Sequence, residues 1–234
     1  MRPLSSETRA LVDRLREDAQ PAIIAELARV LRGAPVEIHV QLEELRRSNW
    51  APQTSWDRLD AKMVARLAQL PDGWAALGIA SAHSNGHVRE AAVRALSWRT
   101  EGHEIPFLVV RLNDWVAQVR DAALAAASAR LTTEHADDWI RVLPLVEALR
   151  RQRRADHSRF VQAVLRLLTS ADARPALLRG LDAEQLSTRR SCFRLVLDAG
   201  DETLLPRALD DRDVVVRLGA ATRIDRIPRG ERRR

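Results

Sequence analysis

Six histidines, one cysteine and a run of arginines are the residues of this 234-residue chain whose types could carry chemistry. His83 and His87 stand four apart, a spacing that places two imidazoles on one helix face and can hold a metal. Asn85-Gly86 lies between them and reads as a turn, which breaks that geometry and leaves two solvated turn histidines. His39, His103, His135 and His157 belong to no metal or acid–base motif. Cys192 is the single cysteine, so no internal disulfide can form and a reducing compartment is expected. Its neighbours make it a small buried apolar residue rather than a nucleophile. The sequence contains no HExxH, Cys-x-x-Cys, G-x-S-x-G, P-loop or G-x-G-x-x-G. With only nine glycines, a backbone cradle for phosphate is not expected. No catalytic residue, metal or cofactor is assigned.

The strongest charge concentration is Arg150-Arg151-Gln152-Arg153-Arg154, with Arg159 beyond it. Such a cluster raises a local potential that attracts an acidic protein surface or phosphates. It also suits a helix C-terminus, where cations are favoured. The whole chain carries a net charge of +6 and a pI near 11. Yet Lys62 is the one lysine among 38 basic residues, a bias that points to a GC-rich, bacterial coding sequence. Thirty-two acidic residues are spread along the chain, so a uniformly basic surface is not expected. Met1 to Glu17 is charged and lacks a signal-peptide core, and every apolar run stops short of the ~18 residues a membrane span needs. The expectation is a cytoplasmic protein with no membrane contact.

These residues must be positioned by helices, because Ala, Leu, Arg and Glu dominate the composition. An internal period organises them. Val88-Arg89-Glu90-Ala91-Ala92 recurs as Val119-Arg120-Asp121-Ala122-Ala123, with Arg89 and Arg120 separated by 31 residues. Val216-Arg217-Leu218-Gly219-Ala220 follows 97 residues after Arg120, about three further periods. Weaker copies stand at Arg58, Arg159 and Arg189, and the step from Arg120 to Arg159 is stretched to 39 residues. In each clear copy a first helix ends at a polar turn, such as Asn113-Asp114-Trp115 or Asp210-Asp211-Arg212-Asp213. The turn acid or amide can satisfy N–H groups at the next helix start. The second helix then carries Val-Arg and a small-residue pair that permits close helix packing.

This pattern resembles the HEAT repeat, most clearly over residues 74–130 and 202–223. The resemblance implies an all-α fold, a right-handed α-solenoid of HEAT-like helical hairpins, read as one domain over residues 1–228 with a basic tail at 229–234. It also implies a ladder in which a turn acid pairs with the arginine of a neighbouring repeat. The candidates are Asn85 with Arg89, Asp114 with Arg120, and Asp213 with Arg217. HEAT proteins of this bacterial type have no assigned chemistry. The resemblance therefore implies a non-catalytic scaffold that binds another protein on its concave face. Arg150, Arg151, Arg153, Arg154 and Arg159 are the candidate contacts to an acidic partner surface. The alternative is nucleic-acid binding. HEAT-like glycosylases for alkylated bases are similar in size, charge and repeats, and they imply aromatics and acids in one groove. Trp115 with Asp114, and Trp139 with Asp137 and Asp138, are the residues that fit.

Elsewhere the spacing predicts helices over Ser6–Glu17, Pro21–Leu31, Pro35–Arg47, Trp56–Leu70 and Ala136–Gln152, with Pro144 either kinking or splitting the last. A loop is expected at Ser48–Ser55. No polar capping helix follows the Arg217 repeat, so its outer face is expected to meet another chain or further repeats.

Overall fold

The computed structural model describes residues 5–47 and 55–224. Residues 48–54 of the expected Ser48–Ser55 loop and the basic tail lie outside them, while Ser55 opens a 3₁₀ turn. Among the described residues there are fourteen α-helices and no strand. These are α1 (Ser6–Glu17), α2 (Pro21–Gly33), α3 (Ile38–Arg47), α4 (Ala61–Gln69), α5 (Gly73–Ala80), α6 (Gly86–Leu96) and α7 (Ile105–Arg111). They continue as α8 (Ala117–Ser128), α9 (Ala136–Leu149), α10 (Ser158–Leu168), α11 (Arg174–Gly180), α12 (Leu186–Asp198), α13 (Leu205–Leu209) and α14 (Val214–Ile224).

The punctuation is local. Pro21, Pro106, Pro175 and Pro206 occupy first turns, where a missing N–H leaves nothing unpaired. Ser5, Asp60 and Asn85 accept from the backbone N–H groups of Thr8, Met63 and His87. The Asp60 cap corrects one expectation. The helix expected over Trp56–Leu70 is a 3₁₀ turn at Ser55–Arg58 followed by α4, because Asp60 is extended and its carboxylate restarts the chain at 2.8 Å from Met63 N. Pro144 neither splits nor ends α9, which runs continuously through it and stops at Leu149.

Helices pack against their chain neighbours and against the next but one. α4, α6 and α8 lie side by side, α2 meets α5, α7 meets α9, and α12 meets both α9 and α14. The signature residues form the seams: Val88, Ala92, Val119, Ala123, Val216 and Ala220 are all buried. Small residues permit this approach. A Cβ on Gly78 would lie 2.3 Å from Phe107 Cζ, so the Phe107 ring rests against α5 as it does only with glycine there. One apolar cluster runs from Leu11 to Ala220. Cys192 is buried within it, and burial, with the charge of Glu147, pushes its thiol up to about 12.

Two histidines are also structural. His83, expected in solvent, is buried. Its Nε2 donates to the Trp56 carbonyl at 3.0 Å, and its Nδ1 accepts from Asn85 N at 2.9 Å. That turn packs inward because the imidazole replaces a backbone partner. His39 on α3 donates from Nδ1 to the Val36 carbonyl at 2.9 Å and sets its ring edge-on to Phe107, centroids 4.6 Å apart.

Burial, with the charge of Arg141, pushes the His39 pKa from 6.5 down to about 4 despite the Val36 bond. Burial also lowers His83, His103 and His157. A lowered folded-state pKa means the unfolded chain binds the proton first. The His39 contribution is therefore complete above pH 6.5 and is lost as pH falls from 6.5 towards about 4. Urea unfolding across that window should show declining stability. His39→Leu should be less stable at neutral pH but should show a flatter decline.

Candidate functional site

The turn between α7 and α8 gathers a cluster of buried charge. Asp114 is buried, and its carboxylate accepts from Arg89 Nε at 2.9 Å and Nη2 at 2.8 Å. It also accepts from Arg111 Nη1 at 3.0 Å and from its own Val116 N–H at 3.0 Å. Both arginines are themselves buried. Arg111 reaches Glu43 of α3 on its other side. Burial alone would raise the Asp114 carboxyl. The Arg89 and Val116 hydrogen bonds and the two guanidinium charges outweigh it and hold the group below the usual carboxylate value. Burial in turn lowers Arg111 to about 10.

The structure redraws the expected pairs. Asn85 caps α6 through His87 N and does not meet Arg89, whose partner is Asp114, 25 residues on. Arg120 takes the Asp114 carbonyl at 2.8 Å, not its carboxylate. Arg217 takes the Asp211 carbonyl at 2.8 Å, while the Asp213 carboxylate binds Arg190 at 2.6 and 3.1 Å. The Arg190 bonds hold Asp213 below the usual carboxylate value. The reason is geometric. An arginine one turn into the second helix reaches back over its own turn, so its neighbours in sequence offer carbonyls, whereas the turn's carboxylate points to the preceding second helix.

A common contact emerges. Arg89, Arg120, Arg189 and Arg217 each donate from Nη1 to the carbonyl six residues earlier: His83, Asp114, Ala183 and Asp211, at 3.0, 2.8, 2.8 and 2.8 Å. Arg159 makes no such bond among the described residues. Sequence reasoning missed a second set at the other end of the same helices. Arg130 binds Glu104 at 2.5 Å and the carbonyls of Ala126, Leu96, Ser97 and Arg99. Arg99 binds the Ala68 carbonyl at 2.6 Å. Arg99 and Arg130 are 31 residues apart, the same interval as Arg89 and Arg120, and that spacing was the available signal.

The arginine run forms the link at 150–157 between α9 and α10. Arg154 stacks its guanidinium on Trp115, 3.9 Å from the ring centroid, and donates to the Asn113 carbonyl at 2.9 Å. Asn113 Nδ2 donates to Gln152 at 2.7 Å. The loop is thus fastened to the two residues that flank Asp114. Arg150, Arg151, Arg153 and Arg159 are exposed, and among the described residues none of them has a side-chain hydrogen bond or ion pair.

Trp115 and Trp139 do not share a groove. Trp115 is exposed, but Trp139 is fully buried, with its indole N–H on the Arg130 carbonyl at 2.7 Å, and has no ring face to offer a base. Asp137 pairs with Arg179, and Asp138 with His135 and Arg141. His83 faces Trp56 and Asn85, so it does not converge with His87 on a metal. Among the described residues no helix is long and apolar enough to cross a membrane.

No protein-family model matches the chain, and no curated protein matches it.

Removing Arg89 takes two of the hydrogen bonds from the buried Asp114 carboxylate and leaves Arg111 as its one cation. Arg89→Ala should therefore cost about 3–5 kcal/mol in urea unfolding. Arg217→Ala, which loses a solvent-exposed bond to a neutral carbonyl, should cost about 1 kcal/mol. Equal costs would mean that Asp114 is not a charged anchor.

Proposed function

We propose that this chain is a non-catalytic protein-binding scaffold. In this reading it is a short right-handed α-solenoid of HEAT type whose second helices line a concave face. The loop at Arg150, Arg151, Arg153 and Arg154, with Arg159 beside it, captures an acidic surface of the partner. The observation that carries the reading is the state of that loop. Its arginines stand exposed and unpaired among the described residues, while Arg154 is fixed on Trp115 and Asn113. A merely solvated helix end would need no such fastening. Support for the stack comes from the repeated arginine-to-carbonyl contact in four hairpins and from the side-by-side packing of α4, α6 and α8. The second helices also bury their small residues at the seams, as that architecture requires.

An acidic partner fits better than nucleic acid. Arg150, Arg151 and Arg153 are the densest group of exposed arginines without a side-chain partner among the described residues, whereas Arg9, Arg58, Arg66, Arg166 and Arg212 stand singly along the chain, and many other guanidiniums are already spent on carboxylates, as at Arg94, Arg174, Arg179, Arg194 and Arg207. A backbone-tracking groove needs a longer uncommitted stripe. The seam left by Val214, Val215 and Leu218 on α14, all exposed, suits further repeats or an oligomer contact.

Affinity capture from the native cell, with and without nuclease, tests the reading. The captured partner should survive nuclease treatment and should weaken as salt rises. Arg151→Glu/Arg153→Glu should slow association by at least about tenfold without changing thermal stability. If capture instead disappears with nuclease, and the double variant loses binding to random DNA along with a steep salt slope, the loop is a nucleic-acid contact.

A further inference from the structure

Directly beneath the arginine loop, α3, α7 and α9 enclose a cleft of about 240 Å³. Its walls divide by chemistry. Val109, Val110, Leu145 and Leu149 make an apolar floor, whereas Gln152 and Arg154 of the basic loop form one rim. The volume lies below the ~300–1,000 Å³ of sites that enclose whole small molecules. It is of a size to take a single side chain. Asn113 also lines the cleft, and its Oδ1 is shielded from water without a hydrogen-bond partner among the described residues. That oxygen is closed to solvent, so the cleft offers an incoming segment an apolar slot and no acceptor at that point.

We propose that this cleft is the anchor pocket for a leucine-like side chain in an acidic segment of the partner protein. The inference rests on the acidic-partner reading above and adds the part that confers specificity. Charge complementarity sets the occupant. Arg154 stands on the rim and Arg150, Arg151 and Arg153 belong to the same loop, so flanking carboxylates are favoured and flanking cations are repelled. The rim needs no rearrangement, because Arg154 is already held by Trp115 and the Asn113 carbonyl. Glu43, on the opposite wall, is occupied by Arg111 and presents no isolated negative charge to the incoming segment. Arginines alone would select any polyanion. A buried apolar anchor among them selects one residue and its register, as hot-spot pockets ringed by polar contacts do.

The test uses a short fluorescein-labelled peptide of Asp, Glu and Gly with one central Leu, and a twin with Gly in place of that Leu. Fluorescence anisotropy measures binding of both to the full chain at low ionic strength. The Leu peptide should bind about tenfold more tightly than its twin. Ala148→Phe, which fills the cleft, should erase that preference while leaving the twin's affinity unchanged. Val110→Asn, at a half-buried wall position, should do the same and covers the case in which the larger residue upsets folding. Arg151→Glu/Arg153→Glu should weaken both peptides. Equal affinity of the two peptides for the unaltered protein would overturn the anchor pocket while leaving the acidic-partner reading intact. Failure of both peptides to bind would overturn the pocket and the acidic-partner reading together.

Discussion

A carboxylate buried between two buried guanidiniums is the constraint on which the centre of this molecule depends. Asp114 sits in a turn, where an acid would normally be hydrated. It is instead enclosed by Arg89 from the preceding second helix and Arg111 from its own first helix. Such a group is tolerated only while its partners stay in place, since an unmatched charge in that position is strongly unfavourable. The pair therefore fixes where α6 lies relative to the α7–α8 turn. The small residues of the two helices then set how closely they approach. At the far end, Arg130 repeats the arrangement with Glu104 and a group of otherwise open helix-end carbonyls. The hairpins are thus tied at both ends by arginine.

The same turn fixes the loop. Asn113 and Trp115 flank Asp114, and both hold the 150–157 link, through Gln152 and Arg154. That turn therefore presents the arginine run in a defined place. The extra length in the repeat series provides the exposed charge, and the buried charge next to it provides the anchorage. Arg111 extends the connection to Glu43 on α3, which forms the third wall of the cleft beneath the loop.

Much of this architecture was legible in the sequence, for physical reasons. The Val-Arg and Ala-Ala signatures mark buried seams because only small or branched apolar residues fit there, and Val88, Ala92, Val119 and Ala123 are buried. The arginine run was legible as charge. Its fastening was not, because Trp115 and Arg154 are separated by the same stretched 39-residue step as Arg120 and Arg159, and an interval alone does not tell which side chains touch. The ion pairs were misread for a related reason. The resemblance implied Asp114 with Arg120, but a side chain reaching back over its own turn meets carbonyls, and the carboxylate points to the neighbouring helix. His83 looked like a solvated turn residue, because sequence shows the turn and not the Trp56 carbonyl that draws the imidazole inward. The Arg99 and Arg130 set lacked a flanking motif and was visible only as a second phase of the same 31-residue interval.

The most direct test of this account is hydrogen exchange on Asp114→Asn, which keeps the shape of the side chain and removes its charge. Exchange should accelerate along the α6–α8 seam and also at the Arg150–Gln152 turn amides, because one buried charge holds both. Acceleration confined to the Val116 amide and its immediate neighbours would contradict the account and would show that packing alone positions the hairpins and the loop.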